Sequence, residues 1–273
     1  MKKVIKFLLS MTFVFAFFPA SAYQIVIPAN PKITEKTAKA ELEKYMKQCV
    51  SKLFVGNDEI RTIYVGDTSE ALFEGIERKN MKEDSFIIRK IGKNIIINGG
   101  GTRGVIYGIY DFLENVCGVR FLTQLVTYIP PKGDVKISSV DKKFDFLFPM
   151  RDIFIAGKKQ LPLDDGKFAM SRGMSRDGER PIAAKFGGGF DYGPPYFFHT
   201  YDRYIPASKY LKTHPHYFSL RDGKRYGGQT KGQLCMTNPE LKKFFLSLIL
   251  DNIKKTTAQA KKEGRAIPRS AFS

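Results

Sequence analysis

The sequence predicts an α/β fold, with a small mixed-sheet α/β domain over residues 23–140 ahead of a second unit of different character. Two patterns carry this. Short apolar runs ending at Gly or Pro alternate with two stretches whose apolar residues recur at helical spacing, and one pair of runs is separated by Gly92-Lys93, a hairpin signal. A hydrophobic fraction of 43% is that of a globular chain and argues against disorder.

Taken in order, residues 24–27 read as a strand. Thr34 is placed to cap a helix on which Ala38, Leu42, Tyr45, Met46 and Cys49 share a face. Residues 62–66 form a short apolar strand ending in Gly, and residues 85–91 and 94–98 form the hairpin. A second helix carries Val105, Ile109, Phe112, Leu113 and Val116, with Gly118 just past its end. Residues 119–122 and 126–129 read as further strands, stopped by Pro130-Pro131. Two helices on one face of a mixed sheet is the packing that buries these stripes.

Residues 131–143 are polar and Lys-rich and read as a linker. Beyond it, residues 144–155 read as an apolar strand, and a long Gly-, Arg- and aromatic-rich stretch runs to about Tyr204. Loops of that length usually carry function. A closing helix starts at Asn238 as N-cap, with Pro239 in the first position and Glu240 favoured by the helix dipole. Its stripe of Leu241, Phe244, Phe245, Leu248, Ile249 and Ile253 must be buried.

The first 22 residues have the three parts of a cleavable secretory signal. Lys2, Lys3 and Lys6 precede an apolar run, residues 7–18, of about a dozen residues, too short for a helix to span a bilayer of roughly 30 Å. Pro19 breaks the run and Ala20-Ser21-Ala22 offers small residues for cleavage. The expectation is an exported protein, periplasmic or extracellular, with no stable membrane insertion after cleavage. The formal net charge of +18 favours anionic partners, while the absence of a nucleic-acid motif and the export signal argue against nucleic acid. Of the three cysteines, Cys49 and Cys117 each end a predicted helix and could meet if those helices pack together. No cysteine pair has zinc-ligand spacing.

Several motifs bear on chemistry. Gly99-Gly100-Gly101-Thr102-Arg103-Gly104 satisfies G-x-G-x-x-G. The preceding strand is half of a hairpin, and residues 119–122 offer no acidic partner for a ribose, so the run reads as a tight turn with Gly104 allowing close packing; no cofactor is expected. Asp164-Asp165 beside Gly166 reads as a turn. His214-Pro215-His216 lacks a third ligand nearby, so no metal site is expected. His199 lies among aromatic residues, as in a lined pocket or a packed strand end. Arg151-Asp152 is either a buried ion pair or a substrate contact. Arg221, Asp222, Lys224 and Arg225 surround Gly223, a turn signal.

Arg103-Gly104-Val105-Ile106-Tyr107-Gly108-Ile109-Tyr110-Asp111-Phe112-Leu113-Glu114, followed by Gly118-Val119-Arg120-Phe121, resembles the α-glucuronidase-type N-terminal domain that also precedes the barrel of family 20 β-hexosaminidases. His214-Pro215-His216-Tyr217-Phe218, Asp222-Gly223-Lys224-Arg225 and Gln233-Leu234-Cys235-Met236-Thr237-Asn238-Pro239-Glu240 resemble a bacterial family of unknown function, DUF4838. The resemblance implies that residues 141–273 begin a glycoside-hydrolase-like (β/α)8 barrel. Three departures stand out. His216 occupies a position where an acidic residue is expected. The chain has no Trp, so Tyr and Phe would stack on sugars. Residues 141–273 supply about half of the roughly 250 residues of a complete barrel. The resemblance places the catalytic carboxylates on later strands, so no catalytic residue is assigned and the chain reads as a truncated or split product.

The expected function is therefore that of an exported glycoside-hydrolase-like protein acting on polysaccharide, with an acidic, uronic-acid or sulfated glycan favoured by the basic charge. The alternatives are a non-catalytic carbohydrate-binding protein or an inactive fragment. Expected substrate contacts are His199 by hydrogen bonding, Arg151 by pairing with carboxylate or sulfate, and Asp222.

Overall fold

The computed structural model describes residues 23–153, 161–178, 180–189, 200–228 and 232–262. The expected signal segment and His199 lie outside these residues.

The chain is mixed α/β. A five-stranded sheet has the order β1-β4-β6-β5-β10, formed by β1 (Gln24–Val26), β4 (Thr62–Val65), β6 (Asn94–Gly99), β5 (Phe86–Ile91) and β10 (Lys142–Phe144). β1, β4 and β6 run parallel, and β5 and β10 add antiparallel at one edge. The hairpin register pairs Ile91 with Asn94, and Gly92 adopts φ +55 between them, a conformation glycine reaches without a Cβ penalty.

Strand alternation divides the apolar residues between two faces. Ile63, Val65, Phe86, Ile88, Ile95 and Ile97 join the main core with α1 (Ile33–Cys49) and α3 (Gly104–Asn115). On the opposite face Ile96 packs with Ala71 of the short α2 (Ser69–Phe73) and with Ile76, flanked by Tyr64, Ile87 and Ile91. Both predicted helices thus lie on one face, as the pattern required.

The α1 stripe is buried at Ala38, Leu42, Tyr45, Met46 and Cys49. Its cap differs from the expectation. Lys32 is the N-cap, and Thr34 lies inside the first turn; the Glu35 carboxylate closes the end by accepting the Lys32 N–H at 2.7 Å. Helix α3 is buried nearly all round, because it sits between sheet, α1 and α4 (Lys167–Ser171). Gly108 makes that approach possible, since a Cβ there would lie 2.9 Å from Ile97 Cγ2.

Residues 131–143, expected as a linker, instead contain β9 (Gly133–Ile137) and β10. β9 pairs parallel with β2 (Val50–Val55), which also pairs with β3 (Asp58–Glu59), and β10 closes the five-stranded sheet. The reason is alternation: Val135 and Ile137 pack against the core while Asp134 and Lys136 face outward. The β7 (Arg120–Phe121) and β8 (Thr127–Tyr128) pair forms a separate small hairpin. The main core continues past residue 140 through Val140, Ala169, Met170, Ile182 and Phe186.

The expected apolar strand from Phe144 ends at that residue, and its described remainder to residue 153 is irregular. No closed barrel is present among the described residues; the strands after residue 141 are β10 and the antiparallel hairpin β11 (Ser219–Arg221) and β12 (Lys224–Tyr226). A second apolar cluster forms around α7 (Pro239–Lys262), where Leu241 and Phe245 meet Ile205, Tyr217, Phe218 and Leu234. Asn238 caps α7 as expected, its Oδ1 accepting the Glu240 and Leu241 N–H groups at 2.9 and 3.1 Å.

Candidate functional site

Arg151 lies at the centre of a buried ionic hub. Asp84, in the turn before β5, adopts φ +66 and is only 3% exposed. Its two oxygens accept from Arg103 Nε at 2.8 Å and Nη2 at 3.0 Å, and from Arg151 Nη2 at 2.9 Å. Arg151 Nε donates to Gly173 O, Nη1 to Phe148 O and Pro149 O, and Nη2 also to the Tyr107 hydroxyl at 3.1 Å. That accounts for the five N–H groups a guanidinium offers. The plane also stacks 3.7 Å over the Phe146 ring.

Glu83 lies 3.5 Å from Arg103 Nη2, so two carboxylates face the two guanidinium groups. Burial works against the Arg103 charge, but the charge and hydrogen bonds of Asp84 leave its pKa raised on balance. Burial likewise pushes the Tyr107 hydroxyl up, with the Asp84 charge adding to the shift, and that hydroxyl donates to Met174 O at 2.8 Å. Asp152 pairs with Arg176 at 3.2 Å and accepts the Gly178 N–H. Arg151 and Asp152 therefore pair with separate partners, Asp84 and Arg176, rather than with each other.

Asp222 and Gly223 form the two-residue loop of the β11–β12 hairpin, at φ +48 and +72. Positive φ at both positions is the signature of a type I′ turn, which an Asp-Gly pair satisfies. Asp222 is exposed and stands apart from the hub. Asp164 caps α4 through the Phe168 N–H at 2.9 Å, and Asp165 adopts φ +59 and pairs with Lys185, so this acidic pair builds a turn. The glycine run is packed against protein backbone. A Cβ on Gly100 would lie 1.9 Å from Lys82 O, and one on Gly104 would lie 2.3 Å from Ser85 O. The close approach that a dinucleotide site reserves for pyrophosphate is filled here by the turn before β5.

His214, His216, Tyr217 and Glu240 gather at the start of α7. The Tyr217 hydroxyl donates to Glu240 Oε1 at 2.7 Å, and His216 Nε2 lies 3.3 Å from Oε2. The Tyr217 hydrogen bond, followed by that of His216, lowers the Glu240 pKa, while Tyr217 is pushed up to about 12, chiefly by its bond to Glu240. Among the described residues no three His, Cys, Asp or Glu side chains could hold a metal ion.

A cleft of about 400 Å³ opens on the sheet face opposite α1 and α3. Tyr64, Ile96 and Ile91 form its floor, and Ser69, Glu70, Phe73 and Glu74 from α2 and its end form one wall, with Asn94 opposite. Phe73 is 89% exposed, so its ring is presented to solvent rather than packed. Thr68 fixes the wall by capping α2, its Oγ1 accepting the Ala71 N–H. Burial and the nearby Glu70 carboxylate raise the Tyr64 pKa. Ser69 Oγ donates to the same carboxylate at 2.9 Å. Neither Glu70 nor Glu74 has an ion-pair partner among the described residues, although the chain is strongly basic. The cleft thus brings two aromatic rings, two carboxylates and an amide to one concave surface.

The sequence reading did not single out this cleft. Tyr64, Ile91, Asn94 and Ile96 come from three strands and Ser69, Glu70 and Phe73 from α2, so no local motif marks it. Of the expected contacts, Arg151 belongs to the hub, Asp222 to the hairpin turn, and His199 lies outside the described residues.

Residues 121–263, from the β7 hairpin through α7, match the family described as a domain of unknown function, DUF4838. A search of curated proteins gives no match. Among the described residues no helix is long and apolar enough to cross a membrane. The match spans more than half of the chain and includes the hairpin, the His-Pro-His run and the α7 cap, so this protein belongs to the DUF4838 family.

Proposed function

We propose that this is an exported, glycoside-hydrolase-like protein that engages polysaccharide through the Tyr64–Phe73 cleft. The carrying observation is the combination in that cleft of an exposed Phe73 ring, the Tyr64 ring and two carboxylates that have no ion-pair partner among the described residues. Ring faces accept the apolar side of a pyranose, and carboxylates accept strong hydrogen bonds from vicinal hydroxyls. Export rests on the charge, apolar run and small-residue site within residues 1–22. The barrel-like nature of residues 141–273 and the division at residue 140 rest on the motif resemblance.

Charge enters at two ranges. The net charge of +18, which falls to +15 once the signal lysines Lys2, Lys3 and Lys6 are removed (18 − 3), attracts acidic glycans over nanometre distances at low salt. Inside the cleft Glu70 and Glu74 favour neutral or amine-bearing sugar units. The ligand this combination fits is a polysaccharide in which acidic units alternate with neutral or amino units. The side chains of the cleft supply recognition, so binding without turnover is the second reading and a hydrolysis assay separates the two.

The test is titration of the full chain with neutral, amino-sugar, uronic and sulfated oligosaccharides, followed by product analysis. Saturable binding that weakens in Tyr64→Ala and Phe73→Ala supports the reading. Absence of binding to all four classes, or binding indifferent to both variants, overturns it.

A further inference from the structure

We propose that Cys49 and Cys117 form an intramolecular disulfide that ties the end of α1 to the end of α3, leaving Cys235 as the single thiol. Cys49 is the last residue of α1, and Cys117 lies two residues beyond the end of α3. The two helices pack side by side in the main core. Both cysteines are buried there as free thiols, and each acts directly on the ionisation of the other, with Tyr23, just before β1, close by. Cys235 is in the other apolar cluster, its Sγ 3.3 Å from Thr237 Oγ1, so it does not compete as a partner.

The geometry places two buried thiols in one core cluster at the ends of two packed helices, where small backbone adjustments are easiest. Helix packing brings them together independently of any redox event, which is the arrangement in which a disulfide adds least strain. Closing a loop of about 70 residues removes much of the freedom of the unfolded chain. The local chemistry supports ordered exchange. The hydrogen bond from Cys117 lowers the Cys49 pKa, while the hydrogen bond to Cys49 and burial raise that of Cys117.

The chemistry balances with a disulfide donor of the oxidising compartment as the oxidant. The Cys49 thiolate attacks one donor sulfur, breaking the donor S–S bond and releasing one donor thiolate. Cys117, on losing its proton, then attacks Cys49 Sγ in that mixed disulfide and releases the second donor thiolate. One S–S bond forms, two cysteines are oxidised and the donor takes up two electrons and two protons. Because both thiols are buried in the fold, exchange takes place during folding or on local opening of the α1 end.

The test uses the full chain produced in an oxidising compartment and purified without reductant. It is denatured, alkylated and weighed, then digested for cross-linked peptides. The expected result is one alkylation, on Cys235, a peptide linking Cys49 to Cys117, and three alkylations after reduction. Reductant should also lower the melting midpoint by several degrees, an effect lost in the Cys49→Ala/Cys117→Ala double variant and kept in Cys235→Ala. Three alkylations before reduction, or a bridge that includes Cys235, overturns the proposal. The mass readout does not depend on any variant folding.

Discussion

Arg151 Nη2 sits 2.9 Å from Asp84 Oδ2 across 67 positions of sequence, and the same carboxylate holds Arg103. One buried anion thus anchors two cations, one at the start of α3 and one in the segment that follows β10. The pair joins the sheet end to residues 145–188, because Arg103 also reaches Gly188 O and Thr102 reaches Gly187 O. Removing one member of such a buried set leaves uncompensated charge. Asp84→Asn should therefore cost about 3 kcal/mol in urea unfolding, because two buried guanidinium groups lose their shared carboxylate. Arg151→Lys keeps the charge but loses the fork and the stacking on Phe146, and should cost about 1–2 kcal/mol. Equal and small effects for both would show that the hub does not hold the fold.

The glycine run separates two kinds of constraint. Gly104 needs space: a Cβ would strike the Ser85 carbonyl at 2.3 Å, which is backbone and cannot rotate away. Gly92 needs conformation: it has φ +55 and nothing within 4 Å of an added Cβ. Gly104→Ala should cost about 3 kcal/mol by overpacking, and Gly92→Ala about 1 kcal/mol by left-handed strain alone. Denaturant midpoints at unchanged slope measure both.

Tyr217 and Glu240 should give the protein two pH-dependent edges. Glu240 has a folded pKa below its unfolded value of 4.5, so its contribution is present above that value and fades as pH falls through the folded value. Tyr217 is raised from 10.0 to about 12, so its contribution is complete below pH 10 and is lost as pH rises through about 12. Tyr217→Phe removes the shared hydrogen bond and should flatten both edges of a melting-temperature profile. An unchanged profile in the variant would mean that other groups set those edges.

What the sequence displayed was periodicity and punctuation. The α1 stripe, the Gly92-Lys93 hairpin, the Gly118 helix end and the Asn238 cap are all local, and each is present in the fold. What it concealed depends on distant partners. β9 and β10 are short and Lys-rich, and they become strands because β2 and β5 offer free edges. The Arg151 ion pair was not legible because Asp84, its anchor, stands 67 residues away in a turn with no motif. The cleft needed Tyr64, Asn94 and Phe73 to converge from two strands and a helix, which no linear pattern announces.

The cleft makes the sharpest functional prediction, because its two rings differ in structural burden. Phe73 is almost wholly exposed, so Phe73→Ala should leave the melting midpoint within about 1 °C, as surface substitutions commonly do. Its ring face is still the element most available to a sugar, and its loss should weaken glycan binding by about tenfold, the scale of one aromatic contact of roughly 1.4 kcal/mol. Tyr64 both floors the cleft and packs on Ile96, so Tyr64→Ala should reduce binding and stability together. Glu70→Gln keeps the shape and removes the charge, and should weaken amine-bearing sugars more than neutral ones. Calorimetric titration alongside thermal melts distinguishes the three. If Phe73→Ala and Glu70→Gln bind every glycan as the parent chain does, the cleft is a surface feature and recognition lies elsewhere.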